Sequence, residues 1–236
     1  MRQIQHFFVQ ADLSAPTLTL RDAELLHQLK TVLRFRPGDA CILLDNAGTR
    51  AQATVETLHS KEAVFRIESR EQVPLPSRTV RLCFALPKKP ATLEWILQKA
   101  TELGVTELCP LNTARCQVHE VHKLARAQLI IKEASEQSES IFLPTLKPCL
   151  DWPDFLKALP SGCLFAGDPW TYDGSLAELR PDPLQDVTVV IGPEGGLTED
   201  ELAEWRAAGG QRFRLGTEVL RMETAAVAAL SVVLYG

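Results

Sequence analysis

The chain has 236 residues, room for one or two domains, and its 45% hydrophobic content supports a real core. A formal net charge of −5 argues against indiscriminate nucleic-acid binding, so an RNA partner would have to meet a local basic face. Six cysteines (Cys41, Cys83, Cys109, Cys116, Cys149 and Cys163) show no Cys-x-x-Cys spacing, which argues against zinc and disulfide frameworks and reads as small hydrophobes in a reducing compartment.

The amino terminus, MRQIQHFF, has no long apolar region, so no signal peptide is expected. Residues 1–70 read as a small β-rich domain, with strands over 4–9, 17–20, 40–44, 49–58 and 63–67. Asp22 can cap a helix whose apolar face is Leu25, Leu26, Leu29, Val32 and Leu33. Pro37-Gly38-Asp39 turns the chain, and Asp45 to Gly48 reads as a hairpin connection. REQVPLPSR, from Arg70 to Arg78, reads as an extended linker and domain boundary.

A second domain starts with a strand over 79–86 and the rigid basic turn Pro87-Lys88-Lys89-Pro90. Leu93, Ile96, Leu97, Ala100 and Leu103 predict a helix over 91–103, stopped by Gly104. A surface ion pair is the default for Lys99 and Glu102 on its polar side. Then come a strand over 106–111, a loop carrying Arg115, a helix over 121–138, a short helix over 152–159 and a strand over 163–166. Gly167-Asp168-Pro169 forms a loop at the end of that strand.

The last fifth of the chain is the most informative. Val187 to Ile191 is a β-branched run typical of a buried parallel strand. Gly192-Pro193-Glu194-Gly195-Gly196 follows, a loop whose glycines let a ligand approach bare backbone. It has no Gly-Lys-Ser/Thr and is not a dinucleotide fingerprint. Thr198 and Glu201 predict a capping box at the start of a helix through about Ala208. A strand around Phe213 leads into a second glycine-opened loop, Gly216 to Thr224, and an apolar helix over 223–234 closes the chain. Two such loops after two strands place a ligand at the carboxyl edge of a parallel sheet.

IGPEGGLTEDE together with LGTEVLRMETAA resembles the SPOUT methyltransferases, and within them the family that methylates N3 of a uridine in small-subunit (16S) ribosomal RNA. HQLKTVLRFRPGD, ILQKATELGV and EASEQSESIFLP agree with that family, so the similarity covers nearly the whole chain. It departs at Lys88-Lys89, where the family has a glycine and an acid, and at Glu139-Ser140, where the family has Gly-Arg.

The resemblance implies an α/β fold with two parts. Residues 1–70 would form a PUA-like RNA-binding β-barrel, 71–78 a linker, and 79–236 a SPOUT domain with a mostly parallel sheet and a deep trefoil knot. It implies a cytoplasmic homodimeric transferase of ribosome biogenesis, acting on 16S rRNA or the small subunit, with no membrane and no metal. S-adenosyl-L-methionine would be held by Gly167, Ile191, Gly192, Pro193, Gly195, Gly196, Leu215, Gly216, Val219 and Leu220. RNA would meet Arg34, Arg36, Arg115 and Gln137, with Arg115 touching either RNA or the cofactor cleft. His27, Lys30 and Lys99 with Glu102 are weaker candidates.

Loss of the uridine N3 proton puts negative charge on the ring carbonyls, and Arg221 is the guanidinium expected to stabilise it. Glu223 or Glu194 would accept the proton, while Glu223 equally suits the positive start of the last helix. Two other readings stay open: methylation of another RNA base by the same fold, and a non-catalytic RNA-binding or ribosome-assembly protein.

Overall fold

The computed structural model of the protein describes residues 4–179 and 182–236; residues 1–3, part of the amino-terminal segment read above, lie outside it. The chain divides into two units, one running up to Leu75 with Ser135–Leu143 added, the other Pro76–Ala134 with Pro144–Gly236.

The first unit is a five-stranded sheet of β1 (Gln5–Phe8), β2 (Thr17–Leu20), β3 (Ala40–Leu44), β4 (Thr49–Leu58) and β5 (Ala63–Gln72). Their order is β1-β3-β4-β5-β2, with β1 and β3 parallel and the other pairs antiparallel. Alternation along β4 sends Ala51, Ala53 and Val55 to the core, where Phe7, Leu43 and Phe65 meet them. In the β3–β4 connection Asn46 and Gly48 both take positive φ, and the Asp45 carboxylate accepts from the Ala47 and Thr49 amides at 2.7 and 2.9 Å. β5 continues to Gln72 because it stays paired with β4 as far as Thr49, so the start of the expected linker is strand.

Asp22 caps α1 (Ala23–His27), its carboxylate accepting from Leu25 N at 2.9 Å. The helix then widens into a π-helical turn, Gln28–Val32, and closes at Arg34, which holds φ +54 while Phe35 N donates to Leu29 O. The wider turn carries Val32 off the apolar face, and it is 64% exposed rather than in the core. Residues 135–143, read from sequence as part of the second domain, join the first unit. There Glu136 accepts from Phe8 N at 3.0 Å, and Ile141 and Leu143 pack on Phe8, Ile42 and Leu44.

The second unit holds β6 (Val80–Ala85), α2 (Pro90–Leu103), β7 (Glu107–Asn112), α3 (Leu124–Gln137, whose last residues cross into the first unit), β8 (Thr145–Leu146), β9 (Leu150–Asp151) and α4 (Trp152–Lys157). It continues through β10 (Cys163–Gly167), β11 (Gly174–Ser175), α5 (Leu176–Leu179), β12 (Val187–Ile191), α6 (Glu199–Ala207), β13 (Gln211–Arg214) and α7 (Met222–Tyr235). The strands run β11-β13-β10-β12-β6-β7-β8 with β9 also on β7, and every pair is parallel.

Both faces of such a sheet are covered, which is why β12 is buried at every position. Val187, Val189 and Ile191 face the cluster built with α2 and α7, and Val190 faces Trp205, Trp152 and Phe155. After β13 the chain turns back past β10 and β12, and α7 lies against α2, β12 and β6. A knotted carboxyl end requires that return. No helix among the described residues is long and apolar enough to cross a membrane.

Candidate active site

Because the strands are parallel, β10, β12 and β13 all end at one edge, and three loops meet there. They enclose a cleft of about 650 Å³, a size suited to a small-molecule ligand.

Loop one, 192–198, leaves β12 and enters α6. The expected capping box is present: Glu201 N donates to Thr198 Oγ1 at 3.2 Å and Thr198 N to Glu201 Oε2 at 2.8 Å. The other oxygen of Glu201 accepts from Ala114 N at 2.7 Å, which fastens the β7–α3 loop to the same corner. Within the loop Gly196 N donates to Pro193 O at 2.8 Å, with Gly196 at φ +71. Arg115 reaches across and donates to the carbonyl of Gly195 and, at 3.3 Å, to that of Leu197. A Cβ on Gly192 would stand 3.1 Å from Leu197 N and 3.3 Å from Gly196 C, tighter than ordinary contact, so a side chain there would press on the backbone of the loop.

Loop two, 215–221, leaves β13 and enters α7. Glu218, Val219, Leu220 and Arg221 are exposed, with Val219 at 59%. Arg221 is the N-cap of α7, and its guanidinium has no ion pair or hydrogen bond among the described residues. Glu223, half-buried, occupies the first turn of α7.

Loop three, 168–173, follows β10. Buried Asp168 accepts from the amides of Trp170 and Thr171 at 2.9 and 3.2 Å and faces Arg212 Nη1 at 3.5 Å. Asp173 accepts from Arg206 at 2.5 Å and from Arg212 N at 2.8 Å. The Arg206 bond, with the Arg212 amide, holds the Asp173 carboxyl below the ordinary carboxylate range.

Comparison with known proteins gives this cleft its context. A family profile described as an RNA methyltransferase domain matches residues 74–234, and one described as an RNA methyltransferase PUA domain matches 20–68. The ribosomal RNA small subunit methyltransferase E of Rickettsia conorii is 30% identical over 87% of this chain and 84% of its own. That of Synechocystis is 34% identical over 91% and 72%. The crystal structure of the Neisseria gonorrhoeae ribosomal RNA small subunit methyltransferase E, bound to S-adenosyl methionine, superposes with a TM-score of 0.87 at 29% identity, covering 97% of this chain and 95% of that one.

The chain belongs to this RNA methyltransferase family. All ten residues expected around a cofactor (Gly167, Ile191, Gly192, Pro193, Gly195, Gly196, Leu215, Gly216, Val219 and Leu220) line the one cleft, as do Arg221, Glu223 and Glu194. Arg115 lies in it too, turned onto the carbonyls of loop one. Arg34, Arg36 and Gln137 are exposed in the first unit. Lys99 and Glu102 pair with each other at 2.7 Å and do not line the cleft. Among the lining residues given no site role from sequence are Thr92 at the start of α2, Trp170 and Thr171 in loop three, and Arg214 at the end of β13. Their one sequence signal was position, since loop three follows a strand that the pattern did predict.

Proposed function

We propose that this protein methylates N3 of a uridine in small-subunit ribosomal RNA, using S-adenosyl-L-methionine. The carrying observation is that two glycine-opened loops, starting at Gly192 and Gly216, converge on one cleft with the guanidinium of Arg221, unpaired among the described residues, and two carboxylates, Glu194 and Glu223.

The residues fit that cofactor. Bare peptide groups of Gly192 to Gly196 and Leu215 to Leu220 can bind adenine and ribose edges, and apolar Ile191, Leu215, Val219 and Leu220 can enclose a flat base. When bound, S-adenosylmethionine supplies an electrophilic methyl group on a sulfonium, so the protein has little covalent work to do. Its task is to hold donor and acceptor in line and keep water out.

Arg221 takes charge stabilisation: its guanidinium faces the negative charge that builds on the uracil carbonyls as the N3 proton leaves. Glu223 or Glu194 accepts that proton. Glu223 lies in the first turn of α7, where a carboxylate also suits the positive end of the helix. Arg34, Arg36 and Gln137 serve the RNA side, while Arg115 holds loop one. The protein works as a cytoplasmic homodimer. The support for a partner is that Val227, Ala228, Val232 and Leu234 of α7 remain only half-buried within one chain.

The test is methyl incorporation into small ribosomal subunits from a strain lacking the gene, with nucleosides mapped by mass spectrometry. Arg221→Ala is expected to lower kcat by about a hundredfold or more while cofactor affinity changes little. Near-normal turnover would remove Arg221 from the mechanism. Sedimentation as a monomer at micromolar concentration would overturn the dimer.

A further inference from the structure

Trp170 is the most exposed tryptophan of the chain, 79% accessible, at the mouth of the cleft. Single exposed apolar residues need no explanation, but tryptophan is on average well buried, and this one is not on a loose segment. Loop three is fastened at both ends. Asp168 holds the amides of Trp170 and Thr171, and its own amide donates to Phe213 O at 2.9 Å. At the far end Asp173 N donates to Arg212 O at 2.8 Å, and β11 then pairs with β13. Between them Tyr172 lies under the guanidinium of Arg214, 4.4 Å from its carbon to the ring centroid. The fold therefore fixes the backbone on both sides of Trp170 and leaves the indole with no ring contact or hydrogen bond among the described residues.

We propose that Trp170 is a stacking platform for an unpaired base of the RNA strand that enters the cleft, outside the methylated nucleotide itself, with Arg214 meeting the accompanying phosphate. An indole face accepts any base by stacking, which suits a strand that must be splayed open to present one uracil. A guanidinium held over the Tyr172 ring is a positioned cation for a phosphate, which favours a nucleotide over an apolar protein partner at this rim. The inference rests on the RNA-methylation reading above.

It is tested with the full chain on small ribosomal subunits isolated from a strain lacking the gene. Trp170→Ala is expected to raise KM for the subunits by about tenfold to a hundredfold, the range of one lost stacked base, with kcat and the calorimetric cofactor Kd within about twofold. Trp170→Phe should recover most of the loss, because it keeps an aromatic face. Subunit binding should quench the tryptophan emission of the parent protein and much less that of the Phe variant. An unchanged KM in Trp170→Ala, a weakened cofactor Kd, or a shifted sedimentation coefficient would each overturn the platform, the last two by assigning Trp170 to the cofactor or to a protein partner. If the parent protein incorporates no methyl group at all, the methyltransferase reading falls and takes the platform with it.

Discussion

Loops one and two leave parallel strands on either side of β10 at the same edge and line the same cleft, yet they are built in opposite ways. Loop one is tied by a capping box, an internal amide bond, and two carbonyl contacts from Arg115. It also rests on a layer of large side chains, since Leu197 and Leu202 share a cluster with Trp205, Trp152 and Phe155. Loop two rests on little: its residues 216–221 are exposed, and Arg221 caps α7 without a side-chain bond. The difference separates two tasks. A preformed wall lowers the cost of ordering a ligand. A looser wall carrying the Arg221 guanidinium is free to close after ligands have entered.

The largest effect should come from removing the foundation of loop one. Trp205 is fully buried, donates from Nε1 to Gln211 O at 3.1 Å, and stacks on Phe155 with centroids 6.4 Å apart. Trp205→Ala is expected to cost about 3–5 kcal/mol in urea unfolding, through lost burial and the cavity left behind. Cofactor affinity should fall as well, because Leu197 loses its support. A cost below about 1 kcal/mol would show that the loop does not depend on this layer.

How far the contrast was legible from sequence follows the same division. The capping box, the β12 strand and the glycines of loop one are local signals, readable from spacing alone. The pin from Arg115 is not, because it joins residues 80 apart in sequence, and from its loop alone that side chain could serve either RNA or the cleft. The two-residue strands β8, β9 and β11 escaped notice because neighbouring strands, rather than their own composition, impose them. The π-helical turn was missed for a related reason: Val32 fits a regular helical stripe, and only the wider turn rotates it outward. Exposure of Trp170 was equally hidden, since a tryptophan beside a strand end reads as core until the path of loop three is known.

Arg115→Ala should have an intermediate effect and turns loop one into something closer to loop two. Loss of two hydrogen bonds from a charged donor to backbone carbonyls, partly exposed, predicts about a tenfold fall in cofactor affinity by calorimetry. Arg115→Lys should restore only part of it, because an ammonium lacks the planar fork that spans two acceptors. If cofactor affinity is unchanged and RNA affinity falls instead, Arg115 belongs to the RNA surface and the pin is incidental.

The smallest change in stability, and the most direct reading of the contrast, lies in loop two. Val219→Ala should leave unfolding stability within about 0.5 kcal/mol, since a side chain 59% exposed in the free chain has little packing to lose. Hydrogen exchange resolves the same point without a mutation. The Gly196 amide, bonded to Pro193 O, should be protected before any ligand is added, while the amides of 216–220 should exchange near the unprotected rate. S-adenosylmethionine should slow exchange mainly in loop two, and Val219→Ala should weaken that protection more than it weakens the fold. Loop two already protected in the free protein would mean that both walls are preformed, and the closing step assigned to Arg221 would have no moving part.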